Sequence, residues 1–263
     1  MNGPYMTVAW LTWRQLFARR RAWLAAATVV LPFILTFFYR LATEDREGDR
    51  LIFMLGMNRE IVIGVLLPLT AVIFGTTAFG GEVDDGTMIY LLVRPLPRWG
   101  VALTKYLVAV LVTAAIITAA IMLAWLALRN DELPGAVPRS FITASVVGSL
   151  VYCALFSYVG LVTRKGLVLG LLYIIFFENI LARGVPGVKW LSVREFGVSV
   201  AQWAGGGVVK FTDASVPMTT VWVAGSIILV GALAMTIRTM MRYELVERRK
   251  GPHGDSGRSC LFA

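Results

Sequence analysis

The chain has 263 residues, of which 57% are hydrophobic and only 16% are charged, and its formal net charge is +9. A soluble globular domain carries about a quarter charged residues. The composition and the long uncharged runs therefore exclude an ordinary soluble domain. They predict a protein that spans a membrane.

Six apolar runs are long enough to cross a hydrocarbon core about 30 Å thick, which needs about 20 helical residues. The runs are 22–41, 61–80, 106–128, 141–163, 166–182 and 219–237, and the fifth is the shortest. We predict an all-α membrane protein with six transmembrane helices. It forms a single domain over residues 1–245, followed by a disordered cytoplasmic tail at 246–263.

Residues 5–21 precede the first span and have a helical period. The apolar positions share one face: Met6, Ala9, Trp10, Trp13, Leu16 and Phe17. A tryptophan-rich face beside arginine is typical of a helix that lies in the membrane interface. The alternative is a cytoplasmic extension of the first span.

The positive charges are distributed unequally between the two sides of the predicted bundle. Fifteen of the 25 Lys and Arg residues fall on the side of the termini. By the positive-inside rule, both termini are cytoplasmic in a multi-pass protein of the inner or plasma membrane. The basic groups then face anionic lipid, so we predict no nucleic-acid partner.

The outer side carries three connections. Residues 43–59 contain five charges in a short stretch and are interpreted as a solvated loop, and 129–139 contain turn-forming Pro and Gly. The segment 183–218 is too apolar for a free loop. It predicts short helices that lie at the outer leaflet or re-enter it.

The sequence lacks the motifs of several catalytic and nucleotide-binding sites. The sequence contains no P-loop, no H-E-x-x-H and no G-x-S-x-G, and its single histidine is His253. We therefore predict no catalytic residue, no metal site and no ATP site of its own. Ion-coupled carriers usually place ionisable groups near the midplane, and five of the six predicted spans lack them in their interiors.

One polar segment, residues 82–105, interrupts the apolar runs between the second and third spans. It begins with the acids Glu82, Asp84 and Asp85, whose negative charge suits the start of a short helix. Pro95 then breaks this run, and the chain resumes toward Lys105. We predict that this bent segment lies on the cytoplasmic side and docks on a partner protein. The alternative is an ordinary solvated loop.

The spacing of this polar segment resembles the signature of type-2 ATP-binding-cassette (ABC) exporter permeases. That pattern is an acid-rich start, Gly-Thr, Leu-Leu, Pro, Arg and Lys. The positions here are Glu82, Gly86, Thr87, Leu91, Leu92, Pro95, Arg98 and Lys105. Leu96-Pro97 departs from the family, which usually has a small or hydroxyl residue before the arginine. The six spans, the N-terminal interfacial helix and the long outer segment also match.

The resemblance implies a coupling helix that sits in a cleft of a separate ATPase subunit. Glu82, Asp84 and Asp85 would meet donors on the ATPase, Gly86 and Thr87 would shape the helix, and Leu91 and Leu92 would pack on it. Arg94 also belongs to this set, Pro95 and Arg98 would set the corner, and Lys105 would anchor the return to the membrane. Two ATPase copies would bind ATP and Mg, and a second permease copy or a homologue would complete the export path for a drug, antibiotic or lipid-like substrate.

Glu178 is the other unusual residue, because a carboxylate near lipid is costly and suggests a role. The sequence places it at the outer end of the fifth span. It is either an outer-gate or transport residue, or an interface residue that reaches water. Two rival functions stay open: a secondary carrier or channel that uses Glu178, and a membrane anchor or sensor without a transport path.

Overall fold

The computed structural model describes residues 4–16, 19–42, 47–84, 97–128, 134–163, 165–181, 188–211 and 216–249. Every regular element in these ranges is a helix, which confirms the predicted all-helical class. The α-helices are α1 (Pro4–Leu16), α2 (Arg19–Ala42), α3 (Glu47–Met57), α4 (Leu67–Asp84), α5 (Arg98–Leu128), α6 (Ala136–Val162), α7 (Gly166–Tyr173), α8 (Val193–Ala204) and α9 (Met218–Arg249). A first π segment (Asn58–Leu66) joins α3 to α4, a second π segment (Ile174–Leu181) extends α7, and a short 3₁₀ turn covers Val188–Leu191.

Five of the described helical stretches are long and apolar enough to cross a membrane. They are Ala22–Ala42, Asp49–Gly81, Trp99–Leu128, Ala136–Val162 and Met218–Met241. The predicted fifth span corresponds to a shorter apolar helix, Gly166–Ile180. The multi-pass character is therefore confirmed, whereas the count of six spans stays a prediction.

The interpretation of residues 43–59 as a solvated loop was wrong from residue 47 onward. α3 and the first π segment continue directly into α4, so the second span extends over Asp49–Gly81. Burial explains the helix, because Met54 and Met57 are turned inward, and the ring of Phe53 stacks on Tyr39 of α2 with centroids 3.8 Å apart. Glu47 and Asp49 therefore lie in the first turn of an amphipathic helix.

α4 occupies the centre of the bundle. In the second span, 78% of the most apolar window is buried, compared with 22% in the first and last spans. α4 packs most closely on α6, where glycines allow the backbones to approach. A Cβ added to Gly160 would lie 2.5 Å from the Thr76 carbonyl oxygen, and one on Gly148 would lie 2.6 Å from Leu67 Cδ2.

α1 packs on the bundle through Val8, Thr12 and Leu16, which are all buried. Its main neighbours are α5 and α4. The opposite face exposes Trp10 and Trp13, and the Arg14 guanidinium lies 5.6 Å from the Trp10 ring centroid. Leu16, which the sequence pattern grouped with the tryptophans, thus belongs to the buried face. The interfacial position of α1 stays a prediction.

The helices alternate in direction, so their ends fall on two sides. We call the side that carries the start of α2, the end of α4 and the start of α5 the terminal side, and the other the outer side. α9 includes residues 246–249 of the predicted tail, and residues 250–263 lie outside the described residues.

Candidate functional site

The start of α8 carries the local sequence Ser192-Val193-Arg194-Glu195, which has the serine and glutamate of a capping box. Ser192 has extended backbone angles, and its Oγ accepts a hydrogen bond from the Glu195 N–H at 3.4 Å. Serine at this position satisfies one of the N–H groups that a helix leaves unpaired at its start. All residues from Val193 to Ala201 are buried, so the helix begins inside the protein.

Glu178 of the second π segment meets this helix start with both carboxylate oxygens. Oε1 accepts hydrogen bonds from the Tyr152 hydroxyl at 3.0 Å and from the Val193 N–H at 3.1 Å, and Oε2 accepts one from Ser192 Oγ at 2.5 Å. The side chain is completely buried. A carboxylate is well placed here, because negative charge at a helix N-terminus is stabilised by the helix dipole.

Glu178 lies twelve residues beyond Gly166, within the second π segment. Its side chain is buried and binds protein donors in the described structure. Its role as an outer-gate or transport residue stays a prediction.

The Arg194 side chain extends from the same turn of α8 toward the second span. Its Nη2 lies 2.7 Å from Glu60 Oε2 in the first π segment, and Nη1 lies 3.8 Å from Glu195 Oε1. The Arg194 side chain is 5% exposed, whereas that of Glu60 is 47% exposed. Residues 192–195 thus connect the first and second π segments, whose bonded residues, Glu60 and Glu178, are far apart in the sequence.

The polar segment, 82–105, is described only at its two ends. Glu82 and Asp84 lie in the last turn of α4 and Arg98 is the first residue of α5, but the side chains of these three lie outside the described part. The remaining predicted coupling residues also lie outside the described ranges: Asp85, Gly86, Thr87, Leu91, Leu92, Arg94 and Pro95. Their proposed roles stay predictions.

Lys105 is the one predicted coupling residue whose side chain the structure describes. It is 1% exposed, and its Nζ donates a hydrogen bond to the Ala78 carbonyl oxygen at 3.2 Å. The same ammonium lies 5.5 Å from the Phe79 ring centroid, within range of a cation–π interaction. Lys105 thereby ties the base of α5 to the terminal-side end of α4, the two helices that flank the polar segment.

Lys105→Met is expected to lower the free energy of unfolding by about 1–3 kcal/mol. Methionine keeps the apolar stem but removes the charged hydrogen bond and the cation–π contact. Thermal unfolding in detergent measures the change, and Lys165→Met is the matched control because Lys165 is exposed. If the two variants are equally stable, the buried ammonium of Lys105 does not stabilise the contact between α4 and α5.

A known family matches the part of the chain that contains both predicted sites, the polar segment and Glu178. The family model described as "ABC-2 family transporter protein" matches residues 6–189, well over half of the chain. The chain belongs to the ABC-2 transporter family. A search of curated proteins returned no match. The family match confirms the resemblance on which the coupling interpretation of the polar segment rests.

Sequence reasoning about this ABC-2 transporter protein missed four residues of the candidate site. Tyr152, Ser192, Arg194 and Glu60 were not singled out, and Glu60 directly precedes the predicted run 61–80. The Ser-x-x-Glu pattern at 192–195 was a usable signal for the helix start. Nothing in the sequence indicated the pairing with Glu60, since 134 positions separate it from Arg194.

Proposed function

We propose that this ABC-2 transporter protein is the permease subunit of an exporter and that a separate ATPase subunit drives it through the polar segment. The observation that carries the proposal is the position of that segment, between the end of the central helix α4 and the start of α5. Lys105 joins the two flanking helices. A force on the polar segment therefore acts on both helices at once.

In this proposal the terminal side is cytoplasmic and two ATPase copies bind ATP and Mg there. Glu82, Asp84 and Asp85 form charge-assisted hydrogen bonds with the ATPase, and Leu91 and Leu92 pack against it. Arg94, Pro95 and Arg98 shape the turn toward α5, while Gly86 and Thr87 shape the coupling helix itself.

A second permease copy or a homologue completes the path in the plasma or inner membrane. The outward face of α7 and the second π segment supports this arrangement, because it exposes Val168, Leu172 and Ile175. Such a face suits a hydrophobic or amphipathic substrate such as a drug, an antibiotic or a lipid. It suits packing against a second copy equally well, as small and apolar faces do in membranes.

Co-purification with a co-expressed ABC ATPase subunit tests the proposal. We expect the wild-type chain to retain the ATPase in detergent, and the double charge reversal Glu82→Lys with Asp85→Lys to reduce the retained ATPase at least about tenfold, the loss of about 1.4 kcal/mol or more. Asp49→Lys is the control, because Asp49 is an exposed acid on the outer side. Retention by the double variant at the wild-type level would contradict the proposal.

A further inference from the structure

A cavity of about 170 Å³ lies between α8 and the start of α9. Ser199, Gln202 and Trp203 line it from one face of α8, because residues three and four apart are neighbours on a helix surface. Val216 and Met218 complete the lining. Trp203 is 66% exposed, so the cavity reaches the protein surface.

The lining of this cavity is uncharged. Trp203, Val216 and Met218 offer apolar surface, whereas Ser199 and Gln202 offer hydrogen-bonding groups. A charged occupant would lose its hydration without gaining an ionic partner from these side chains, so the cavity favours a neutral one. A few polar groups among apolar side chains are typical of sites that bind small molecules.

The side-chain amide of Gln202 lacks a partner that buried polar groups normally have. Its Oε1 atom is shielded from solvent and has no hydrogen-bond partner among the described residues. Buried polar atoms in native proteins are nearly always paired, and an unpaired one is destabilising. Because Gln202 lines the cavity, an occupant that pairs with this amide removes that cost.

A hydroxyl group suits this amide better than a group that only donates or only accepts. It can donate to the amide oxygen, and it can accept from the amide NH₂ if the side chain turns over. The Ser199 hydroxyl, which also donates and accepts, can bind the same group. The polar part of the lining therefore matches an alcohol or a phenol.

The volume of the cavity admits a ring. Apolar cavities of about 150 Å³ bind benzene in other proteins, so 170 Å³ accommodates one six-membered ring. Water would pair with the polar atoms but would leave the apolar lining hydrated, whereas a ring removes that surface from water. The indole of Trp203 can also stack on an aromatic ring.

We propose that this cavity binds a neutral ring compound that carries a hydroxyl group. The Gln202 amide and Ser199 Oγ bind the hydroxyl, and Trp203, Val216 and Met218 enclose the ring. The inference goes beyond the proposed function, because the site is built from this chain alone and requires no ATPase.

NMR titration of the purified chain with p-cresol tests this site. Toluene is the matched probe, because it differs from p-cresol only by the missing hydroxyl. The methyl groups of methionine are isotopically labelled, and Met218 reports occupancy of the cavity that it lines, through the ring current of the bound aromatic. Met235 is exposed on the same helix and is the internal control for uptake of the probe by detergent.

We expect p-cresol to shift the Met218 signal to saturation, while the Met235 signal changes only in proportion to concentration. One hydrogen bond should make p-cresol bind about fivefold more tightly than toluene. Gln202→Leu is expected to abolish this preference and to keep the affinity for toluene. Val216→Phe fills the cavity and should abolish saturation, and Val223→Phe is its control because Val223 is exposed on α9.

Three results would overturn the proposal. The first is a wild-type Met218 signal that changes only in proportion to concentration, as expected for a cavity that holds water alone. The second is equal affinity for p-cresol and toluene, and the third is undiminished saturation in Val216→Phe. The wild-type titrations decide the matter even if a variant does not fold. Failure of the proposed function looks different, because then no ATPase co-purifies with the wild-type chain.

Discussion

Gly160→Ala is expected to lower the free energy of unfolding by about 2 kcal/mol or more, the largest effect of any single added methyl group in the bundle. The new Cβ would lie 2.5 Å from the Thr76 carbonyl oxygen and 2.7 Å from Thr76 Cα. These are backbone atoms of the central helix, so a rotamer change does not relieve the clash. Gly166 of α7 also packs closely on this position, since a Cβ added to Gly166 would lie 2.9 Å from Gly160 Cα.

Two control substitutions are not expected to lower the free energy of unfolding. Gly81 of α4 and Gly225 of α9 have no atom within 4 Å of an added Cβ. Alanine there should be neutral or stabilising by about 0.5–1 kcal/mol, because glycine is unfavourable within a helix. Thermal unfolding in detergent measures all three variants. If Gly160→Ala unfolds at the same temperature as Gly81→Ala, the close packing of α4 on α6 is contradicted.

The spans could be predicted from sequence because hydrocarbon imposes a simple rule. A helix must satisfy its backbone internally and present apolar side chains over about 20 residues. The predicted run 106–128 accordingly coincides with the apolar part of α5, and both end at residue 128. The predicted run 61–80 started too late, because charged residues such as Asp49 and Glu60 concealed the helical segment to which they belong. Composition thus located the outer end of the third span but not that of the second.

The candidate site could be predicted only in part. Glu178 stood out because it is an acid in an apolar run, but the sequence left open whether it serves transport or reaches water. Its burial depends on hydrogen bonds with Tyr152 and with the start of α8, which are tertiary contacts. The pair of Arg194 and Glu60 depends on the contact of α8 with the first π segment. Local patterns contain no information about such a contact.

Glu178→Ala is expected to destabilise the protein by several kcal/mol. The substitution leaves the Val193 N–H and the hydroxyls of Ser192 and Tyr152 without their shared acceptor inside the bundle. Each buried donor that loses its partner costs about 1–3 kcal/mol, and membrane interiors offer little water as a substitute. The unfolding midpoint in detergent should fall by roughly 5–10 °C.

The glutamine variant separates shape from hydrogen bonding. Glu178→Gln keeps one carbonyl oxygen for the Val193 N–H, and its amide group can donate to Ser192 Oγ, so we expect an intermediate midpoint. Asp49→Asn is the control for removal of an exposed acid and should leave the midpoint unchanged. If Glu178→Ala unfolds at the temperature of this control, Glu178 does not hold the start of α8.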